Sequence, residues 1–204
     1  MNILILFFLT IFSVFFQPET DSKTILIFGD SITAGYGLDP EEAFPAFIQE
    51  KIDDSGLKHN VINAGLSGET SAGGLRRVDW ILQRHIDIFI LELGGNDGLR
   101  GLDPDMTKSN LAGIMDKVKT KYPDADIILT GMEAPPNLGE TYTNRFRAIY
   151  RELSQEYDVV FMPFILEDVG GNPDLNLPDG IHPTPEGHRI IADNLWEYLE
   201  PLLE

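Results

Sequence analysis

Cysteine is absent from the 204 residues. That excludes thiol catalysis, disulfides and cysteine-held metal sites, and with them lipid attachment through an N-terminal cysteine. Basic residues are scarce, with 15 lysines and arginines against 33 acidic residues and a formal net charge of −18. So acidic a surface disfavours nucleic acid and anionic lipid headgroups as partners. No block of like charge is long enough to form a tail. Linkers, internal repeats and low-complexity stretches are also missing, so the length is read as one domain with a full core. No serine sits in a G-x-S-x-G elbow and no glycine loop runs into G-K-[ST], which removes two common α/β active-site types.

What is present begins with an apolar run from Ile3 to Phe16, broken only by Thr10 and Ser13 and followed by polar residues. Fourteen residues are short for a membrane span of about 20 and suit the core of a signal peptide. No Lys or Arg precedes the run and no A-x-A site follows it, although Thr20 and Ser22 offer small residues for cleavage before Lys23. Residues 1–22 are therefore expected to be a signal peptide or an N-terminal anchor of an exported, periplasmic or envelope protein. Residues 23–204 are expected to form the functional domain, with no stable membrane insertion unless the segment stays uncleaved.

Short β-branched runs alternate with helical periodicity from Thr24 onward. Strands are predicted at Thr24–Phe28, Val61–Gly65, Ile86–Leu93, Ala125–Thr130 and Val159–Phe164. Between them, helices are predicted from Asp39 to about Ser55, through Leu75–Leu82, over Met106–Lys121 and over Tyr142–Glu156, with a last one over Pro185–Leu203. The first strand is apolar without alternation, as in a parallel sheet buried on both faces. The pattern is that of a three-layer α/β fold.

Four stretches carry chemistry: Gly29-Asp30-Ser31, Gly65-x-x-Gly68, Gly94-Gly95-Asn96-Asp97 and Asp179-x-x-His182. The first three follow strands one, two and three, and in a parallel sheet those exits share one edge, where such folds bind ligands. Acyl transfer needs a hydroxyl with a base to take its proton, a carboxylate to orient the base, and donors for the developing oxyanion. Ser31 supplies the hydroxyl, and Asp179 and His182, three apart, can share a hydrogen bond. The Ser31 and Gly68 N–H groups and the Asn96 amide are candidate donors. Leu99, Leu102 and the loop holding Ala134 and Pro135 are expected to line an apolar acyl site. His182 and His188 have no further ligand spaced with them, so no metal or other cofactor is expected.

The stretches Gly29-Asp30-Ser31-Ile32-Thr33-Ala34-Gly35-Tyr36-Gly37, Glu92 to Gly101 and Asp179-Gly180-Ile181-His182-Pro183 resemble the SGNH (GDSL) hydrolase superfamily. Within it they are most similar to the bacterial thioesterase I, lysophospholipase L1 and arylesterase subgroup. The resemblance runs from residue 24 to about residue 200. It implies a three-layer α/β/α domain with a five-stranded parallel, flavodoxin-like sheet of order 2-1-3-4-5. It further implies Ser31 as nucleophile, Asp179 and His182 as its partners, and Gly68 and Asn96 in the oxyanion hole. The expected function is serine-dependent hydrolysis of small-molecule or lipid esters. A carbohydrate O-deacetylase and a non-enzymatic envelope lipid-binding module are the alternatives.

Overall fold

The computed structural model describes residues 22–204; the apolar run and the signal-peptide expectation lie outside them. Five parallel strands form one sheet: β1 (Thr24–Gly29), β2 (Asn60–Gly65), β3 (Ile88–Glu92), β4 (Asp126–Thr130) and β5 (Val160–Met162). Their order is β2-β1-β3-β4-β5, as the resemblance implies. Among the described residues seven α-helices connect and cover them: α1 (Ser31–Ala34), α2 (Phe44–Asp54), α3 (Ser71–Ile81), α4 (Gly95–Leu99), α5 (Pro104–Lys121), α6 (Glu140–Tyr157) and α7 (Pro185–Leu199).

The central strands explain the continuous apolar runs. Ile25 to Phe28 and Ile88 to Leu91 are wholly buried, because helices cover both faces. Ile25 pairs with Ile88 and Phe28 with Leu91, so β1 and β3 end side by side at Gly29 and Glu92. On the other flank Gly29 is level with Gly65. Register alone thus puts three turn-forming segments on one edge. β2 borders the sheet, and side chains occupy part of its open rim: Gln49 Oε1 accepts the Val61 N–H at 2.7 Å and Asn63 Oδ1 accepts the Gly65 N–H at 2.9 Å. That blunts an edge otherwise open to another strand.

Several predicted boundaries move. The helix expected from Asp39 splits into a 3₁₀ turn (Pro40–Glu42) and α2, with Ala43 extended between them. Pro45 is the cause: it has no N–H to continue a helix backward and fits only a first turn. The last helix yields at Leu199 to a 3₁₀ turn containing Pro201 for the same reason. β5 stops at Met162, ahead of Pro163. The stretches after β1 and β3, for which no helix is predicted, wind into the short helices α1 and α4.

Candidate active site

Asp30 makes the turn at the end of β1. Its Oδ1 accepts the Ile32 N–H at 3.0 Å and caps α1, so the chain swings from strand to helix at Ser31. Ser31 is 8% exposed. Its own N–H has no partner among the described residues.

The imidazole comes from the segment before α7. Leu177 N–H donates to the His182 carbonyl at 2.7 Å and Thr184 N–H to the Leu175 carbonyl at 2.9 Å, which closes the segment into a narrow loop. Gly180, at φ +69°, makes the reversal inside it. Asp179 Oδ1 accepts the N–H groups of Ile181 and His182 at 2.9 and 3.0 Å, leaving Oδ2 for the ring. His182 Nδ1 lies 2.7 Å from that oxygen and Nε2 lies 2.9 Å from Ser31 Oγ. A carboxylate only accepts, so the Nδ1 proton is donated to Asp179 and Nε2 is left to accept the serine proton. The hydrogen bond from His182, with the two backbone N–H groups, lowers the Asp179 carboxyl from 3.8 to about 2. It stays ionised wherever the imidazole is needed as a base. Tyr36 packs on the same ring, with centroids 4.5 Å apart.

Opposite stand the turns after β2 and β3. The Gly68 N–H, like that of Ser31, has no partner among the described residues, while its carbonyl accepts from Arg100 at 3.0 Å. Apart from its chain neighbours, none of the described residues comes within 4 Å of where a Cβ on Gly68 would stand, so close packing is not what calls for glycine; its φ of +79° is. Asn96 Nδ2 donates to Asp30 Oδ2 at 3.1 Å and has a second N–H to give. Asp97 is buried beneath: it accepts from the Ser71 N–H at 2.8 Å, the Ser71 hydroxyl at 2.5 Å and the Thr107 hydroxyl at 3.2 Å. That carboxylate ties the Asn96 turn to the start of α3, three residues beyond Gly68.

These groups border one cavity of about 750 Å³. Ser31, Gly68, Asn96 and His182 lie on its wall, as do Leu99, Ala134 and Pro135. Asp179 stands behind the imidazole. Leu102 does not reach the wall: Gly101, at φ +61°, turns the chain away, and the Leu102 carbonyl is held by the Tyr142 hydroxyl at 2.6 Å. Phe164, Leu166 and Ile181 line the cavity unforeseen: Phe164 ends the stretch predicted as the fifth strand, Ile181 lies inside the Asp179–His182 stretch, and Leu166 is in the loop between them. Asp30, Glu92 and Asp97 were also missed as site residues, although Asp30 and Asp97 lie inside motifs already singled out. Among the described residues no cluster of three potential metal ligands occurs. No described helix is long and apolar enough to cross a membrane.

A nucleophile, a base, its orienting carboxylate and free N–H donors around an apolar cavity can carry out acyl transfer. Residues 27–190 match the profile of the GDSL-like lipase/acylhydrolase family. The chain is 37% identical to the esterase TesA of Pseudomonas aeruginosa over 191 residues, covering 93% of this chain and 94% of the relative. It is 40% identical to thioesterase 1/protease 1/lysophospholipase L1 of Escherichia coli over 183 residues, or 89% and 86% of the two chains. The crystal structure of the psychrotrophic esterase EstA from Pseudoalteromonas sp., inhibited by monoethylphosphonate, superposes with a TM-score of 0.84 at 34% identity, covering 89% of this chain and 99% of that one.

Proposed function

Because the chain belongs to the GDSL-like lipase/acylhydrolase family, we propose that it hydrolyses carboxylic esters through an acyl-enzyme on Ser31. The observation that carries this reading is the unbroken line from Asp179 through His182 to Ser31 at the mouth of the cavity. Ser31 Oγ attacks the ester carbonyl as its proton passes to His182 Nε2, and Asp179 stabilises the resulting imidazolium. The oxyanion is received by the Ser31 and Gly68 N–H groups and the Asn96 amide. The tetrahedral adduct collapses, the C–O bond to the alcohol breaks, and His182 returns the proton to the leaving oxygen. Water then repeats the sequence on the acyl-serine and releases the acid.

The acyl group lies against Leu99, Met132, Ala134, Pro135 and Phe164. A cavity of about 750 Å³ accommodates a short to medium acyl or aryl chain and would be mostly empty around acetate. That favours broad acyl esters, with thioesters and lysophospholipids among them, over acetylated carbohydrate. Export is part of the same reading and rests on the apolar run Ile3–Phe16; the N-terminal residue of the mature protein tests it.

Hydrolysis of p-nitrophenyl esters from acetate to dodecanoate by the purified protein tests the assignment, with the optimum expected beyond acetate. A fluorophosphonate should label one serine per chain. Ser31→Ala should lose the label and nearly all activity, keeping a residual rate on the order of 10³–10⁴ over water. Ser31→Ala activity within tenfold of wild type would refute the nucleophile. A steep fall beyond acetate would favour the deacetylase, and an unlabelled, inactive wild type the lipid-binding module.

A further inference from the structure

Asp30 is 2% exposed, and no cation pairs with it among the described residues. Its backbone N–H donates to Glu92 Oε2 at 3.2 Å, and the Thr33 hydroxyl donates to the same oxygen at 2.7 Å. Glu92 is wholly buried, and its Oε1 is the one buried side-chain polar atom among the described residues without a hydrogen-bond partner. Two carboxyl groups are thus buried side by side at the ends of β1 and β3, an arrangement that costs stability. Capping α1 does not require it, because Asn and Ser cap a helix about as well as Asp. A carboxylate differs from both in having two oxygens and no donor. One oxygen serves the Ile32 N–H; the other faces Asn96 Nδ2 at 3.1 Å.

We propose that Asp30 is a positioning residue for the oxyanion donors, an acceptor-only group that holds the Asn96 amide nitrogen-first and leaves its second N–H to the substrate. The proposal rests on the reading of Asn96 as such a donor. An amide is free to turn end for end, and only its nitrogen end can donate. A neighbour that only accepts removes the wrong orientation; a neighbour with a donor of its own does not. Glu92 anchors the Asp30 backbone and so fixes where that acceptor stands. Burial, opposed by the Ile32 and Asn96 hydrogen bonds and the His182 charge, places the Asp30 carboxyl at about 6. Glu92 from β3, Asp97 from α4 and His182 from the loop before α7 face it. At pH 8 it is the acceptor the geometry needs.

The test is a double-mutant cycle at pH 8, with kcat, KM and unfolding midpoint measured for each protein. Asp30→Asn keeps the α1 cap through its oxygen but turns an NH₂ toward the Asn96 NH₂. It should lower kcat about 10²-fold, near the loss of a whole oxyanion donor, with KM within threefold. Asn96→Ala alone should lower kcat by roughly 10²–10³, and adding Asp30→Asn should lower it less than threefold further, because the group it acts through is gone. Asp30→Ser, which caps without presenting an amide, should lose about tenfold and be equally non-additive; it decides the matter if Asp30→Asn does not fold. Wild-type kcat in Asp30→Asn, or losses that multiply with Asn96→Ala, would overturn the proposal alone. Wild-type kcat in Asn96→Ala would overturn the donor assignment beneath it, while Ser31→Ala would still report on the esterase reading.

Discussion

His188 offers the most direct thermodynamic check on the structure. It lies on α7, 1% exposed, with Nδ1 accepting the Phe44 N–H at 3.1 Å and its ring stacked on Phe44. Burial, reinforced by the charge of His182, lowers its pKa from 6.5 to about 4. Between those values the unfolded chain binds a proton that the native protein refuses, so stability rises with pH across that window and falls on acidification. The whole gap is worth ~3 kcal/mol, of which ~2–3 kcal/mol is spent by pH 4.5. Asp30 acts oppositely: raised from 3.8 to about 6, chiefly by burial, it contributes stability that is present below 3.8 and lost as pH rises through 6. Wild-type stability therefore hides both effects, and a difference between variants is needed. His188→Gln keeps an acceptor for Phe44 and cannot be protonated. Its neutral-pH cost, on the order of 1–2 kcal/mol for a disturbed buried hydrogen bond, cancels when urea unfolding free energies are compared at pH 7.5 and 4.5. The variant should gain ~2–3 kcal/mol on the wild type over that interval. A mutant-minus-wild-type difference that stays constant within about 0.5 kcal/mol would refute the neutral buried imidazole.

Asp97→Ala should unfold more easily by roughly 2–4 kcal/mol, since it strands the Ser71 N–H and the Ser71 hydroxyl proton in the core, while the Thr107 hydroxyl keeps the Asp103 carbonyl at 3.2 Å; urea midpoints measure it, and a loss under 1 kcal/mol would remove Asp97 as the tie between the two turns. Gly94→Ala should be destabilising because its Cβ would stand 1.9 Å from the Tyr150 hydroxyl, in a backbone at φ +117°. Adding Tyr150→Phe should restore part of the lost midpoint, and no restoration would mean that backbone strain alone is at fault. Prolonged EDTA dialysis should leave kcat/KM unchanged, because every role in the proposed reaction belongs to a side chain or backbone group; activity restored by a divalent ion would contradict that mechanism.

The fold was legible because its strands are short, apolar and evenly interrupted. Ile25 to Phe28 cannot be a half-exposed strand, and five such runs alternating with helical periods leave a parallel sheet as the economical answer. Proline sets boundaries that periodicity does not show. Pro45, Pro163 and Pro201 each shift an element boundary: in a helix the missing N–H matters relative to the partner four residues back, and after β5 it removes a donor to the neighbouring strand. In the site, the residues that meet at Ser31 were visible from motif and spacing, because strand exits fix where they go. The cavity wall was less so. Leu102 follows Leu99 by one helical turn, yet a left-handed glycine between them sends it elsewhere. Phe164 lies past the point where β5 ends, and it, Leu166 and Ile181 reach the cavity along paths set by loop hydrogen bonds such as Ile165 N–H to the Gly131 carbonyl and Leu177 N–H to the His182 carbonyl.

Charge illustrates the remaining gap between composition and mechanism. From sequence, 33 acidic residues read as a solvated surface. Among the described residues four carboxylic side chains are buried, Asp30, Glu69, Glu92 and Asp97, and all four lie at the edge where β1, β2 and β3 end. Each spends its acceptors on a segment that carries a proposed donor or nucleophile. Glu69 holds Arg77 and with it the turn of Gly68; Asp97 joins that turn to Asn96; Glu92 fixes Asp30; Asp30 caps the helix of Ser31 and faces Asn96. Glu92 keeps one oxygen unsatisfied in doing so. A core selected for stability alone would replace such groups with apolar residues of similar volume. Their concentration at one edge, with the Asp30 and Glu92 carboxyls both displaced upward by burial, is better explained by a site whose hydrogen-bond directions must be fixed before substrate arrives. Stability is given up there for preorganisation, which is where a catalyst of charge-developing reactions gains most from it.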